Sequence, residues 1–324
     1  MADLRATVVI LTFNGEVYLR RILESLSVQE FEGEFEVLVI DSGSTDSTLE
    51  IVADFPEVRL HRIPNHEFGH GRTRNLAASL ARGDYVAYLT HDAVPLGAEW
   101  LTELLAPFGL DPTVRAVMGK QVPRPTCFPL MRYEIEGVFA QFGPDYGTHV
   151  FYDGPFADAP GVRSAITFYS DVNSAAPREF LTHDVPYRDV PYAEDQLFGQ
   201  DVVAAGYHKA YAPRAAVEHS NDLTLGEFGP RIFEETVALR RIGTAVPPLS
   251  GLAMTKRIVR GSLSDARRIA RDGSYRWRRR FYWLVVNPMF HVRKWRSFRA
   301  ATLIDPSDDL AVEQGSREPR LRGS

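Results

Sequence analysis

Four short strand-like segments, each closing on polar side chains, govern what the first hundred residues of this chain can form. They are Thr7-Val8-Val9-Ile10-Leu11, Val37-Leu38-Val39-Ile40, Val58 to Ile63 and Tyr85 to Leu89. Between them lie an amphipathic stretch, Val17 to Val28, and two further helical segments, Ser44 to Phe55 and Thr73 to Ala81, the former opened by the cap-forming oxygens of Thr45-Asp46-Ser47. Strands alternating with helices predict βαβ units, and hence a parallel sheet with helices on its faces. In an open sheet of this kind the carboxyl ends of the strands form the ligand crevice. The polar closures (Thr12 and Asn14, Asp41, Pro64-Asn65, Thr90-His91-Asp92) are therefore expected to converge although they are far apart in sequence.

The remaining composition narrows the class. A chain of 324 residues is about twice the roughly 150-residue domain prior, so two domains or one domain with an appendage is expected. With 44% hydrophobic and 24% charged residues, it reads as globular rather than disordered, collagenous or coiled-coil. Cys127 is the single cysteine, which excludes an intramolecular disulfide and a cysteine-based zinc cluster and suits a reducing cytosol. The longest apolar runs, Val8 to Leu11 and Phe281 to Val286, fall far short of the roughly 18 residues that a bilayer span needs. The N-terminus has no signal-peptide pattern. The net charge of −5 hides an asymmetry: residues 256–299 carry fourteen Lys or Arg against Asp265 and Asp272, an excess of +12, so the rest of the chain sums to −17. That division suggests a basic module facing a polyanionic surface, attached to an acidic body.

From Phe128 to Tyr192 the text is rich in Pro, Gly and aromatics and reads as loops that shape an acceptor site. Order returns with a helix from about Glu194 to Ala205 and strands at Lys209 to Ala212 and Ala215 to Glu218. Pro247-Pro248 marks a boundary before the basic helical segment, and the polar tail from Asp305 onward is expected to be disordered.

Several constellations carry chemistry, each with an ordinary alternative. Asp41, at the mouth of a strand, is placed to accept from a nucleobase imide, whereas Asp46 suits a helix cap. Gly69-His70-Gly71-Arg72-Thr73-Arg74-Asn75 sets two arginines at a glycine turn before a helix, which can hold phosphate or be a plain solvated loop; it lacks the P-loop spacing. Asp92 could bind a hard divalent cation or serve as a turn residue. Glu194-Asp195 open a helix, where the macrodipole alone favours acids. His219 stands just beyond a strand, a common place for an unremarkable histidine.

The order of these landmarks is more specific than any one of them. Val8 to Asn14, Val37 to Asp46, Thr73-Arg74-Asn75 with Ala81-Arg82-Gly83-Asp84, Thr90-His91-Asp92-Ala93, Glu194-Asp195 and His219 together resemble glycosyltransferase family 2 with its GT-A fold, over about residues 5–225. Phe68 to Ala77, Leu89 to Pro95, Gly119-Lys120-Gln121, Tyr192 to Gln196 and Val217 to Ser220 look most like bacterial rhamnosyltransferases that use dTDP-L-rhamnose. The sequence departs from the family pattern in two places: Thr90 replaces the first acid of the common D-x-D motif, and Asn221 follows Ser220 where similar proteins often carry a second histidine.

The resemblance implies an α/β, GT-A type fold with a Rossmann-like, mostly parallel central sheet, flanking helices and a basic helical C-terminal segment. It divides the chain into a catalytic domain at 1–225 (nucleotide-sugar half about 1–120, acceptor half about 121–225), a helical basic segment at 226–300 and a tail at 301–324. It implies an inverting transfer from a nucleotide-sugar donor, with Asp195 as general base, Asp92 and His219 holding Mg2+ or Mn2+, and Thr12, Asn14, Glu16, Asp41, Arg74, Thr90 and His91 around the donor. The implied partners are dTDP-rhamnose, a glycan or lipid-linked acceptor, and an anionic membrane surface through 256–299, with room for a homo-oligomer. A cytoplasmic protein, peripheral on the inner membrane face, follows. A UDP-hexose donor, or a sugar-nucleotide-binding protein without catalysis, remains an alternative. A nucleotidyltransferase should carry a glycine-rich basic loop after the first strand, which Thr12-Phe13-Asn14-Gly15-Glu16 is not. The acidic body disfavours a nucleic-acid binder.

Overall fold

The structure, a computed structural model, describes residues 4–315 other than 156, 158, 160 and 222. In chain order its elements are β1 (Leu4–Thr12), α1 (Leu19–Ser27), β2 (Glu34–Asp41), α2 (Thr48–Ala53), β3 (Arg59–Arg62), α3 (His70–Leu80), β4 (Tyr85–Thr90), β5 (Val94–Pro95), α4 (Trp100–Leu105) and β6 (Val114–Val122). There follow α5 (Pro129–Ala140), β7 (His149–Phe151), α6 (Val162–Thr167), β8 (Asn173–Pro177), α7 (Glu194–Ala204), β9 (His208–Glu218), α8 (Leu225–Arg241), α9 (Gly251–Arg271), α10 (Trp277–Leu303) and α11 (Asp309–Gly315).

The strands pair in the order β3-β2-β1-β4-β8-β6-β9-β5, with β7 also on β9. Pairing is parallel from β3 to β4 and between β6 and β9; β8 runs antiparallel to both β4 and β6. The expected α/β architecture is thus present, with its parallel half where the apolar runs placed it. Side chains of β1 alternate between two cores, as strand geometry requires. Val8 and Ile10 join Leu19, Ile22, Leu23 and Leu26 of α1, whereas Val9 joins Ala77 and Ala78 of α3. The i, i+3, i+4, i+7 spacing of the α1 leucines and isoleucine is what turns that helix onto the sheet.

Two segments differ from the sequence expectation. The stretch 128–192 is irregular over more than half its length, as expected, but it also holds α5, α6, β7 and β8, and its aromatics Phe139, Phe142, Tyr169 and Tyr187 are core residues. The two strands expected at 209–218 are one, β9, whose partners slip from Gly119↔Ala212 to Lys120↔Ala216. The irregularity falls around Pro213, which cannot donate to the ladder. Gly119 permits it, because a β-carbon there would lie 2.1 Å from the Ala215 carbonyl oxygen.

The chain divides into two compact units, Met1–Arg124 with Ile135–Ser220, and Pro125–Glu134 with Asn221–Ser324. The second is helical. Thr224 and Glu227 form a capping box on α8, Ser250 caps α9 through the Ala253 amide at 3.2 Å, and the rings of Phe128 and Phe290 stack at 4.0 Å. The tail expected to be disordered from 305 includes α11, where Val312 packs against the cluster of Phe233, Val237 and Ala301 and Arg241 meets Asp309 at 2.7 Å. Residues 316–324 of that tail lie outside the described residues.

Lys209 of β9 is fully buried. Its Nζ donates to the carbonyl oxygens of Ala165, at 2.7 Å, and Phe168, beside the rings of Phe151 and Phe142 at 5.0 and 5.4 Å. Burial pulls its pKa down to about 7 from 10.5. Between those values the unfolded chain binds one more proton than the folded one, so native stability rises with pH across that window and the group contributes no slope below it. The thermal midpoint of the wild type should therefore climb between pH 7 and 9 relative to Lys209→Met. Parallel profiles for the two proteins would show that the ammonium is not desolvated as described.

Candidate active site

The crevice begins where β1 turns from β2 to β4, the point at which strand order reverses. Register places Thr12 beside Asp41 and Leu11 beside Thr90, so three of the expected residues reach one end of the sheet. The loop after β1 is tied to the loop after β2. The Asn14 amide donates to Ser44 Oγ (2.8 Å), the Thr45 amide to Asn14 Oδ1 (2.9 Å), the Glu16 amide to Asp46 Oδ2 (3.1 Å) and the Ser47 amide to Glu16 Oε2 (3.1 Å). Asn14 adopts a left-handed φ of 50° to make this exchange, a conformation asparagine tolerates better than most residues. Asp46 accepts from the Thr48 amide at the start of α2, as a cap would. Asp41 is fully buried, and its carboxylate accepts from the Gly43 and Ser44 amides at 3.0 and 3.1 Å. In this arrangement it folds the loop. Thr12 Oγ1 is buried without a hydrogen-bond partner at the floor of the crevice.

His91 accepts from the Phe13 amide at 3.3 Å through Nδ1, which fixes the β4 loop against the β1 loop. Burial, against the pull of Asp92 and Asp46, lowers its pKa. Next to it, Asp92 Oδ2 and His219 Nε2 face each other at 3.3 Å. Burial opposes the Asp92 charge, yet the His219 imidazole, and after it His91, hold its pKa well below the carboxylate range. His219 Nδ1 lies 2.9 Å from Gln121 Oε1, and Gln121 Nε2 donates to Ser170 Oγ at 3.0 Å. The second bond turns Oε1 toward the ring, so His219 donates through Nδ1; Nε2 then carries a proton toward Asp92 in the charged ring and presents a lone pair beside that carboxylate in the neutral one. Two electron-rich atoms so opposed suit a bound cation. Among the described residues no three or more His, Cys, Asp or Glu side chains are grouped so as to hold a metal ion by themselves, so a hard divalent ion held here would take its other ligands from diphosphate oxygens and water.

A second network surrounds Asp195 at the start of α7. Arg74, 5% exposed, donates from Nη1 to Glu194 Oε1 (2.6 Å) and forms an ion pair with Asp171, its Nε 3.0 Å from Oδ2. Burial works against its charge, but the two carboxylates hold its pKa above the ordinary value. Arg74 thus sits among acids rather than at an open phosphate turn, and a direct nucleotide contact would require it to leave both partners. Burial first, then the charges of Glu194 and Asp171, raise the pKa of Asp195 well above normal, with Arg74 opposing. Ala193, two residues earlier at the N-cap of α7, has φ 63°, a left-handed conformation that is uncommon for a residue with a side chain.

One short segment joins the two networks: Ser170 accepts from Gln121, Asp171 pairs with Arg74, and the Tyr169 carbonyl accepts from Gln196 Nε2 at 2.5 Å. The same stretch is anchored by Tyr187, whose hydroxyl donates to Asp171 Oδ1 at 2.8 Å.

Residues 7–166 match the model of glycosyl transferase family 2. The chain carries a domain of this family. The family 2 assignment accords with the relatives. The chain is 28% identical over 238 residues to the O-antigen chain rhamnosyltransferase RfbN of Salmonella typhimurium, covering 72% of each, and 31% identical over 210 residues to WbaN of Salmonella anatum, covering 62% of each. Among solved structures it is similar to the mannosyltransferase PcManGT of Pyrobaculum calidifontis in complex with GDP-Man and Mn2+ (TM-score 0.56, 18% identity, 96% of this chain and 86% of that one). It is also similar to residues 1–349 of Staphylococcus aureus TarS (TM-score 0.51, 17% identity, 99% and 92%). At these identities the structural likeness is one of fold, and the fold is that of GT-A glycosyltransferases.

Within this family 2 site, sequence reasoning missed Asp171, Ser170 and Arg124 as polar organisers. Arg124, 3% exposed, donates to the carbonyl oxygens of Asp92 and Ser220 and lies 3.8 Å from the Tyr18 ring centroid. It thereby clamps the backbones that carry Asp92 and His219. Gln121 had a local signal in Gly119-Lys120-Gln121; Asp171 and Arg124 had none, being single polar residues in loop-like text.

Proposed function

We propose that this glycosyltransferase moves L-rhamnose from dTDP-L-rhamnose, with inversion, onto a hydroxyl of a glycan or lipid-linked glycan. The observation that supports it best is the Tyr169–Asp171 strut, which holds Asp195 and the Asp92–His219 pair in one framework. An inverting transfer needs both ends at once: a base for the acceptor hydroxyl and positive charge for the departing diphosphate. Asp195, its pKa raised by burial and neighbouring acids, is the better base for that shift and takes the proton as the acceptor oxygen attacks. Asp92 and His219 would hold Mg2+ or Mn2+, which when bound neutralises charge growing on the diphosphate. Thr12, with its unpaired buried hydroxyl, and the interlocked loops of Asn14, Glu16 and Asp41 form the nucleotide end. His91 braces the loop of Asp92 through the Phe13 amide, and Thr90, its hydroxyl buried without a hydrogen bond, lines the same corner. Arg74 acts on Asp195 through Glu194 and Asp171.

The sugar is supported by the names of the two Salmonella relatives. A donor panel tests it: dTDP-rhamnose should release nucleotide diphosphate and raise the thermal midpoint more than UDP-glucose, UDP-galactose, UDP-GlcNAc or GDP-mannose. Preference for a UDP-hexose would replace the donor while keeping the enzyme, and binding without release by any donor and acceptor glycan would leave a sugar-nucleotide-binding protein.

A further inference from the structure

Helix α10 uses two of its faces in opposite ways. Trp283, Asn287, Phe290 and His291 are buried, with Phe290 against Phe128 and Phe228, and with Asn287 and His291 donating to Asp265, each at 2.9 Å. Trp277, Phe281, Val285 and Met289 are 73, 68, 60 and 50% exposed. Spaced four residues apart, they form a single ridge about 18 Å long. Tyr282, 54% exposed, stands beside it. A folded chain gains nothing by ordering such side chains in water, and a contiguous exposed apolar strip marks an interaction surface.

Charge identifies what meets it. Arg276, Arg278 and Arg279 are exposed around the start of the ridge, and the exposed stripe of α9 interleaves Leu252, Val259 and Leu263 with Lys256, Arg260 and Arg267. The two acids of residues 256–299 are both engaged: Asp265 is buried under Asn287 and His291, and Asp272 accepts from the Ser274 amide and hydroxyl and the Tyr133 hydroxyl. A second copy of this face would oppose one +12 segment to another without carboxylates between them. A nucleic acid would satisfy the arginines and could stack on Trp277 and Phe281, but Val285 and Met289 offer no stacking plane. An anionic bilayer surface satisfies all of these features, since aromatic rings settle at headgroup level, aliphatic side chains enter the acyl boundary, and arginines meet acidic lipids. Among the described residues no helix is long and apolar enough to cross a membrane, so the contact would lie in the interface plane.

We propose that the exposed Trp277–Phe281–Val285–Met289 ridge of α10, with the arginines around it, docks this protein on an anionic lipid surface. This holds whichever sugar is transferred. The test uses the full chain and vesicles of phosphatidylcholine with or without phosphatidylglycerol. The wild type should sediment with the anionic vesicles only, release as salt is raised, and show blue-shifted tryptophan emission when bound. Combined replacement of the four ridge residues by Ser should weaken vesicle binding by about tenfold or more while leaving the circular dichroism spectrum and thermal midpoint near wild type. Combined Arg276→Gln, Arg278→Gln and Arg279→Gln should remove the salt dependence. Unchanged sedimentation of the ridge variant would overturn the proposal, as would wild-type dimers that the ridge variant converts to monomers, because that face would then belong to a second copy.

Discussion

Replacing Asp195 by Asn should lower turnover by roughly 10²-fold or more, the usual effect of losing a positioned base, without weakening the binding of dTDP or of the intact donor. The substitution keeps the shape and the Oδ1 that accepts from the Gln196 amide at 2.7 Å; only the basic oxygen is lost. Donor affinity by calorimetry separates this from collapse of the site. The pH profile gives a second, independent readout. Because burial and the charges of Glu194 and Asp171 raise the Asp195 pKa, the acidic limb of kcat/KM should lie above the ordinary carboxylate range of about 4. Below that limb Asp195 is protonated and cannot accept; above it the base form is available. Glu194→Gln removes one of the negative neighbours, so the limb should move to lower pH. Near wild-type turnover in Asp195→Asn, or a limb indifferent to residue 194, would transfer the base role elsewhere.

The parts of this molecule that could be read from its sequence are those whose cause is local. A run such as Val37 to Ile40 can only be a buried strand if Asp41 ends it, and the structure sets Asp41 in register with Thr12 at the same sheet edge. The strand β8 escaped because Asn173–Pro177 is composed of small and polar residues with no run of large apolar side chains; it is a strand because β4 and β6 stand on either side of it. Arg74 shows the same limit in the site. From sequence it belongs to a glycine turn with cations. Its carboxylate partners, Asp171 and Glu194, lie about a hundred residues away along the chain, and nothing in the spacing announces that they close on it. Gln121 and His219 are a further case, a side-chain pair formed only because β6 and β9 run side by side. Burying an arginine with two acids is strongly unfavourable to break, since each partner left alone is an uncompensated charge. The network therefore behaves as part of the frame that holds Asp195, and less as a movable contact.

The Asp92–His219 pair makes the other large-effect prediction, in which the assay reads metal directly. In Mn2+ titrations with dTDP present, followed by electron paramagnetic resonance, Asp92→Ala and His219→Ala should each abolish the tight site, because each removes one of two protein ligands. Chelation with EDTA should abolish wild-type activity, and Mg2+ or Mn2+ should restore it. Gln121→Leu separates this reading from simple damage to the fold. It leaves both ligands in place and removes the Oε1 that takes the His219 Nδ1 proton at 2.9 Å, together with the Nε2 bond to Ser170 Oγ, so the tautomer presenting a lone pair at Nε2 is no longer enforced. Loss of such a supporting bond typically weakens metal affinity by about 10- to 100-fold, and the thermal midpoint of the cation-free protein should move much less than that of a core variant. Thr90 stands where an acid would supply a further anionic oxygen. Thr90→Asp should therefore tighten Mn2+ binding if the cation sits against Asp92, whereas it would only add repulsion beside a carboxylate that faces nothing but His219. Full activity in excess EDTA, with Mn2+ binding unchanged in Asp92→Ala and His219→Ala, would remove the cation from this site and leave the pair as an ordinary buried carboxylate–imidazole contact.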